Sequence, residues 1–211
     1  FRPWCYALLD LQQGMIGTVT ASGIGTVNIN QRNITFPPAT TEPLPWGVCA
    51  TGPSTLVYAT ENSIYEFDYG GLQMKRELAR LNGNIKNCLF VAGSQPRLIV
   101  TTVEYDSRGS LLSDSVFALD YATGKTIWGY DLQLQKLDKI RLSNDGSRIL
   151  LLTGWSTVII LDVKDGKPVD RYSAADRIYG AAFKGNRNDL YSGMVAKEGR
   201  FHIQGFSGTV A

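Results

Sequence analysis

The sequence predicts an all-β fold, a β-propeller of four-stranded blades, on the strength of a repeat, its period and its turn signals. In the repeat, a bulky residue is followed three positions later by a small or aliphatic one, at Trp4-x-x-Ala7, Trp46-x-x-Cys49, Ile85-x-x-Cys88, Leu137-x-x-Ile140 and Ile178-x-x-Ala181. The copies begin 42, 39, 52 and 41 residues apart, the length of one four-stranded blade. Between the copies, β-branched runs alternate with Asp-Gly turn pairs. About five blades are therefore visible.

Blade four, residues 137–173, shows the plan most clearly. Strands are predicted over Leu137–Ser143, Arg148–Thr153 and Thr157–Val163, and the turn Lys164–Lys167 leads into a fourth strand. The Asp-Gly pairs of its two turns supply the residue that tolerates positive φ in tight hairpins.

Blade three, residues 84–131, repeats this plan with a longer connection between its second and third strands. Its strands are predicted over Asn84–Val91, Arg97–Val103, Ser115–Tyr121 and Lys125–Tyr130. The extra residues, Tyr105–Asp114, are predicted to form a protruding hairpin or loop.

Blades one, two and five, residues 1–36, 45–81 and 178–211, are less regular. The strands of blade one are predicted over Trp4–Leu11, Met15–Ala21, Gly25–Asn30 and Asn33–Phe36. Those of blade two are predicted over Thr55–Thr60, Ser63–Tyr69 and Leu72–Leu78. Those of blade five are predicted over Tyr179–Phe183, Asp189–Met194 and Arg200–Phe206.

Blade five leaves only Ser207–Ala211 for a fourth strand, and an unfinished blade exposes a strand edge that must be covered. Either five blades close on themselves, or the chain is part of a larger ring of six to eight blades. The sequence favours the larger ring. The cover is then the remainder of that propeller or a protein partner.

Composition and charge argue against several classes of partner. The chain is 44% hydrophobic and 19% charged, as in ordinary globular proteins. With 21 basic and 19 acidic residues, and a densest basic run, Lys75–Arg80, that Glu77 interrupts, no nucleic-acid interface is predicted. The longest apolar runs, Ile149–Gly154 and Val158–Val163, are far shorter than the roughly 18 residues that a membrane span needs. No membrane insertion is predicted.

The three cysteines are informative through their positions. Cys49 and Cys88 occupy the repeat position that holds Ala7 and Ala181, so we predict a packing role for them rather than a disulfide or a metal site. Cys5 has no equivalent in the other repeats. This usage favours a reducing, intracellular compartment, while a secreted or periplasmic location stays open.

Two segments carry a resemblance to known propeller families. Phe117–Trp128, with its Ala-x-Asp-x-x-x-Gly-Lys pattern and following Trp, resembles the repeat of quinoprotein-like propellers, and Ile160–Lys167 is a weaker copy. Leu142–Arg148 resembles the first hairpin of WD40-like propellers, although the Gly-His and Trp-Asp dipeptides of WD40 repeats are absent. The resemblance implies the blade fold and does not extend to a cofactor.

The candidates for chemistry all have simpler structural interpretations. Asp68, Asp120 and Asp162 recur at the ends of third strands before Gly-containing turns, where a carboxylate accepts backbone N–H bonds. His202 is the one histidine and cannot by itself supply the ligands of a zinc site. Gly23-Ile24-Gly25 lacks the rest of a phosphate loop and is predicted to be a turn. No catalytic residue, metal site or cofactor is predicted.

One face of the predicted propeller carries the connections between blades together with the insertion in blade three. Aromatic and arginine residues of the kind enriched at interaction hot spots lie in these connections. The predicted partner-binding residues are Glu61, Tyr105, Arg108, Trp155, Asp176 and Arg177. The sequence thus favours a non-catalytic scaffold that binds a protein partner or a neighbouring domain. The alternative is the structural propeller of a quinoprotein-like or periplasmic oxidoreductase.

Overall fold

The computed structural model describes residues 5–10, 15–20, 23–28, 33–35, 47–52, 54–68, 71, 73–175, 177–184, 187–197 and 200–207. For residues 5–35 and 184–207, the description covers the backbone alone. Every regular element in these ranges is a β-strand, and the all-β prediction is confirmed.

In the described ranges, nineteen strands form five sheets, and each sheet keeps its strands in sequence order. Sheet one contains β1 (Cys5–Asp10), β2 (Met15–Thr20), β3 (Gly23–Asn28) and β4 (Asn33–Thr35). Sheet two contains β5 (Gly47–Ala50), β6 (Thr55–Thr60), β7 (Ser63–Asp68) and β8 (Gln73–Arg80). Sheet three contains β9 (Asn84–Val91), β10 (Arg97–Tyr105), β11 (Leu111–Asp120) and β12 (Thr126–Asp131).

The last two sheets follow the same plan. Sheet four contains β13 (Leu137–Leu142), β14 (Arg148–Thr153), β15 (Thr157–Asp162) and β16 (Pro168–Ser173). Sheet five has three strands in the part of the chain that the structure describes: β17 (Ile178–Lys184), β18 (Arg187–Lys197) and β19 (Arg200–Ser207). The limits of the single propeller domain and of its blades stay predictions.

The turn predicted at Gly23–Gly25 is wrong, because β3 begins at Gly23. Its first three residues pair with Thr20, Val19 and Thr18 of β2. Glycine tolerates extended backbone, and pairing with β2 gives these residues the hydrogen bonds of a sheet. The insertion in sheet three does form a hairpin, since β10 extends to Tyr105 and β11 begins at Leu111.

A β-bulge explains the three-residue spacing in the third, fourth and fifth copies of the repeat. Along a regular strand, residues three positions apart face opposite sides. In β9, β13 and β17 the pairing register skips the residue that follows the bulky one, namely Lys86, Asp138 and Tyr179. The extra residue turns the bulky and small residues to the same side. Both are buried in each case, as the pair Ile178 and Ala181 shows.

Burial changes in the same direction across sheets two, three and four, whose side chains the structure describes. The middle strands β6, β10, β14 and β15 are buried almost continuously, whereas the fourth strands β8, β12 and β16 are largely exposed. A strand that is covered on both faces has apolar residues at successive positions. In β14, the consecutive residues Leu150, Leu151 and Leu152 are all buried.

The chain divides into two compact units, residues 1–104 with 119–125, and residues 105–118 with 126–211. In the first, buried residues include Leu56, Ile64, Ile85, Leu98 and Ile99. In the second, one core cluster joins β14, β15 and β17 through Leu150, Leu152, Val158, Ile160, Ile178 and Ala181.

Candidate functional site

The turn between β14 and β15 presents Trp155 on a backbone held in an uncommon conformation. Trp155 has φ +58°, in the left-handed region that non-glycine residues rarely adopt. Its N–H donates to Asp138 Oδ2 at 2.7 Å, and its carbonyl accepts from the Ile178 N–H at 2.5 Å. The neighbouring Gly154 N–H donates to the Lys136 carbonyl at 2.9 Å. Strands β13 and β17 therefore hold this turn from both sides.

Glu61, in the first unit, occupies the equivalent turn between β6 and β7. It also has a positive φ, +27°, and its carbonyl accepts from the Ile85 N–H at 2.5 Å. The next residue repeats the pattern as well, since the Asn62 carbonyl accepts from the Leu81 N–H at 2.8 Å. In the second unit, the Ser156 carbonyl accepts from the Ala174 N–H at 2.8 Å. In both units, a carbonyl of this turn thus accepts a hydrogen bond from the first strand of the following sheet.

In sheet three, a side chain instead of a turn carbonyl accepts the hydrogen bond from the start of the following sheet. The longer hairpin of sheet three removes the turn carbonyl from this position, and Asp114 Oδ2 accepts from the Leu137 N–H at 2.5 Å instead. The Asp114 carbonyl accepts from the Leu132 N–H at 2.9 Å. Asp114 is 1% exposed, so sequence analysis missed a structural residue in a segment predicted to protrude.

Arg177 lies against two aromatic rings beside the Trp155 turn. Its guanidinium carbon is 4.3 Å from the centroid of the Trp155 ring and 5.1 Å from that of the Tyr179 ring. The two ring centroids are 6.4 Å apart, with the planes tilted by 51°. A guanidinium at these distances is attracted to the ring faces. We call Trp155, Arg177 and Tyr179 the aromatic–arginine patch.

The aromatic–arginine patch carries an exposed cation, Arg177. No carboxylate in the part of the chain that the structure describes lies within ion-pair distance of it. The Lys139 ammonium donates to the Tyr179 carbonyl at 2.7 Å. The nearby Asp138 uses one carboxylate oxygen to hold the Trp155 N–H, so it anchors the turn.

The structure brings together two of the six predicted binding residues, Trp155 and Arg177. Tyr105 is 47% exposed at the end of β10, and Arg108 is exposed in the following turn, where its N–H donates to Asp106 Oδ1. Asp176 lies outside the described residues, and Glu61 lies in the first unit. Sequence analysis missed Tyr179. The only feature of the sequence that could have indicated it is its position directly after Ile178, the bulky residue of the fifth repeat copy.

Comparison with known proteins places the fold. The structure is similar to the crystal structure of the WD40 domain of Toxoplasma gondii coronin, with a TM-score of 0.71 over 96% of this chain. This chain has a β-propeller fold similar to that of a WD40 domain. The two sequences are 11% identical, so the similarity concerns the fold, and the chain covers 55% of the coronin structure. No protein-family model and no curated protein matches the chain.

Two of the three recurrent aspartates, Asp120 and Asp162, hold turns of this propeller. Asp120 Oδ1 accepts from both the N–H and the hydroxyl of Thr123, each at 2.7 Å. Asp162 Oδ1 accepts from the Lys164 N–H at 2.7 Å, and its second oxygen pairs with Arg148. Both residues therefore have the structural role that the sequence predicts. The bond from the Thr123 hydroxyl, followed by that from its N–H, lowers the pKa of Asp120.

Thr123→Val is expected to raise the pKa of Asp120 towards its ordinary value, because it removes the hydroxyl that stabilises the carboxylate. A carboxyl group whose pKa is lowered in the folded protein stabilises the fold at pH values above its unfolded-state pKa of about 4. This stabilisation is lost as the pH falls from that value through the lower pKa of the folded protein. The difference in stability between the natural protein and Thr123→Val should therefore shrink in acid. Carbon NMR titration of Asp120 measures the pKa, with the exposed Thr126→Val as control. Equal Asp120 pKa values in both variants would contradict the assignment.

The other candidates for chemistry can be placed only in part. His202 lies on β19, and its side chain is outside the described residues. Among the side chains that the structure does describe, no three His, Cys, Asp or Glu residues form a group that could hold a metal ion. The described ranges also contain no helix long and apolar enough to cross a membrane.

Proposed function

We propose that this WD40-like propeller is a non-catalytic scaffold that binds a protein partner through the aromatic–arginine patch. The observation that carries the proposal is the position of Arg177, which is exposed and lies against the rings of Trp155 and Tyr179. Arginine, tryptophan and tyrosine are the residue types most enriched at interaction hot spots. Loops on a rigid scaffold are common places for binding.

Preorganisation supports the choice of this patch over other exposed residues. The Trp155 backbone is held by hydrogen bonds from both sides, and the Arg177 guanidinium rests on two rings. A side chain that is already ordered loses less conformational entropy when a partner binds. The patch can therefore contribute more binding free energy than a mobile surface arginine.

The charges of the patch favour an acidic segment of the partner. The planar guanidinium of Arg177 can donate two parallel hydrogen bonds to one carboxylate while its face stays on the rings. The ammonium of Lys139, beside Tyr179, adds to the positive field. Tyr105, Arg108, Asp176 and Glu61 stay predicted members of a wider binding surface, and the remainder of a larger propeller stays the other predicted partner.

Arg177→Ala is expected to weaken partner binding at least about tenfold, as loss of a hot-spot side chain does. The measurement is cross-linking mass spectrometry of a partner captured from the native source, followed by titration of that purified partner. Stability should change by less than about 1 kcal/mol, because Arg177 is exposed.

Two variants make the test specific. Arg171→Ala removes another exposed arginine of the same unit and should leave binding unchanged. Arg177→Lys keeps the charge without the planar guanidinium, and should bind more weakly than the natural protein. If the two arginine-to-alanine variants bind the partner equally well, the patch is not the binding site.

A further inference from the structure

We propose that Cys49 and Cys88 are a modification site, at which a peroxide converts the two thiols into a disulfide that joins β5 to β9. The two sulfur atoms lie 3.2 Å apart in the structure, as buried free thiols. They belong to successive sheets of the first unit and are 39 residues apart in the sequence. Sequence analysis predicted only a packing role for them.

The backbone around the pair brings β5 and β9 into close approach. A Cβ added to Gly47 would lie 3.1 Å from the Asn87 carbonyl carbon and 3.1 Å from the Cys88 nitrogen. The strands are thus near backbone contact beside the cysteines. A disulfide has an S–S length of about 2.05 Å, so the sulfurs need to approach by only about 1.2 Å in total.

The repeat explains why the two sulfurs meet. Cys49 and Cys88 hold the small position of two consecutive copies, and the β9 bulge at Lys86 turns Cys88 to the same side as Ile85. The exposed fractions of the two cysteines are 8% and 3%. No other two consecutive copies of the repeat both carry cysteine at this position. The disulfide would therefore link one pair of sheets, sheet two and sheet three.

The surroundings of the pair slow its oxidation. The hydrogen bond with Cys88, and then burial, raise the pKa of the Cys49 thiol well above its ordinary value. The thiolate is the nucleophile, so oxidation should be slow at neutral pH and faster as the pH rises. A peroxide is small enough to reach a nearly buried sulfur during local opening of the strands.

The reaction balances with one peroxide for each pair. One thiolate attacks the peroxide, the O–O bond breaks, and a sulfenic acid forms while the departing hydroxide takes up a proton and leaves as water. The second sulfur then attacks the sulfenic sulfur, the S–S bond forms and the S–O bond breaks. The hydroxide released takes the second thiol proton and leaves as water. The two sulfurs lose two electrons, which the peroxide gains.

The test is to treat the reduced chain with one equivalent of hydrogen peroxide, using Cys5→Ser to leave the pair as the only cysteines. The monomer should lose two hydrogen atoms of mass, and non-reducing peptide mapping should link the Cys49 and Cys88 peptides. The melting temperature should rise by on the order of 10 °C, because the disulfide closes a long loop. Dithiothreitol should reverse both changes.

Cys49→Ala and Cys88→Ala are the matched controls, since alanine holds the same position in two other repeat copies. Each should gain one oxygen atom at its remaining cysteine of the pair, without forming the link and without the rise in melting temperature. The mapping itself needs no variant, because it can be done on the natural chain. Oxygen addition to both cysteines, a disulfide between two chains, or a linked product that melts no higher than the reduced chain would overturn the proposal.

Discussion

Gly124→Ala is expected to lower the free energy of unfolding by about 4 kcal/mol or more. Gly124 has φ +69° in the turn between β11 and β12, where a non-glycine residue costs about 1 kcal/mol. An added Cβ would overlap the Leu78 carbonyl oxygen and lie 2.8 Å from its carbonyl carbon. Backbone atoms cannot move aside as a flexible side chain can, so β8 or the turn must shift. Denaturant unfolding followed by fluorescence measures the loss.

Gly109→Ala isolates the steric part of this effect. Gly109 has a similar φ of +81°, and an added Cβ there would meet no atom within 4 Å. It should therefore show only the conformational cost of about 1 kcal/mol. Equal losses in the two variants would mean that β8 does not approach the turn as closely as the structure shows.

Ile178→Ala is expected to lower the free energy of unfolding by about 2–5 kcal/mol. Ile178 is fully buried in the cluster formed with Leu150, Leu152, Val158 and Ile160. Removing most of its side chain forfeits apolar burial and leaves a cavity between β14 and β17. The same denaturant experiment measures the change.

Two substitutions serve as its controls. Ile178→Val removes one methylene and should cost about 0.5–1.5 kcal/mol. Ile127→Ala removes the same atoms from a side chain that is 44% exposed and should cost far less. If Ile178→Ala and Ile127→Ala destabilise the protein equally, the repeat does not define the core of the second unit.

The candidate site could be predicted in part. Trp155 and Arg177 were found because Gly154 and the spacing of the repeat place them in connections between strands, where binding residues are common. Tyr179 could not be found, because alternation along a strand does not reveal that β17 has an extra residue at that point. The contact of Arg177 with both rings depends on this bulge and on the left-handed turn at Trp155.

Asp114 shows the limit of reading an insertion from its length. The sequence indicates extra residues between β10 and β11, and the structure confirms a hairpin there. The sequence does not indicate that the last of these residues, Asp114, is buried and that its carboxylate accepts a hydrogen bond from the Leu137 N–H. That role arises because the longer hairpin takes the turn carbonyl away from the start of β13.

The sequence alone determines the period of the repeat, the β-strands between its copies and the Asp-containing turns, because these depend on residues close together in the chain. Those features were sufficient to predict a propeller of four-stranded blades. Only the tertiary structure decides that a bulge turns Ile85 and Cys88 to one side, that the Cys49 and Cys88 sulfurs meet, and that Arg177 lies on Trp155 and Tyr179. These contacts depend on how separate sheets and turns pack, which the spacing of residues along one strand does not encode.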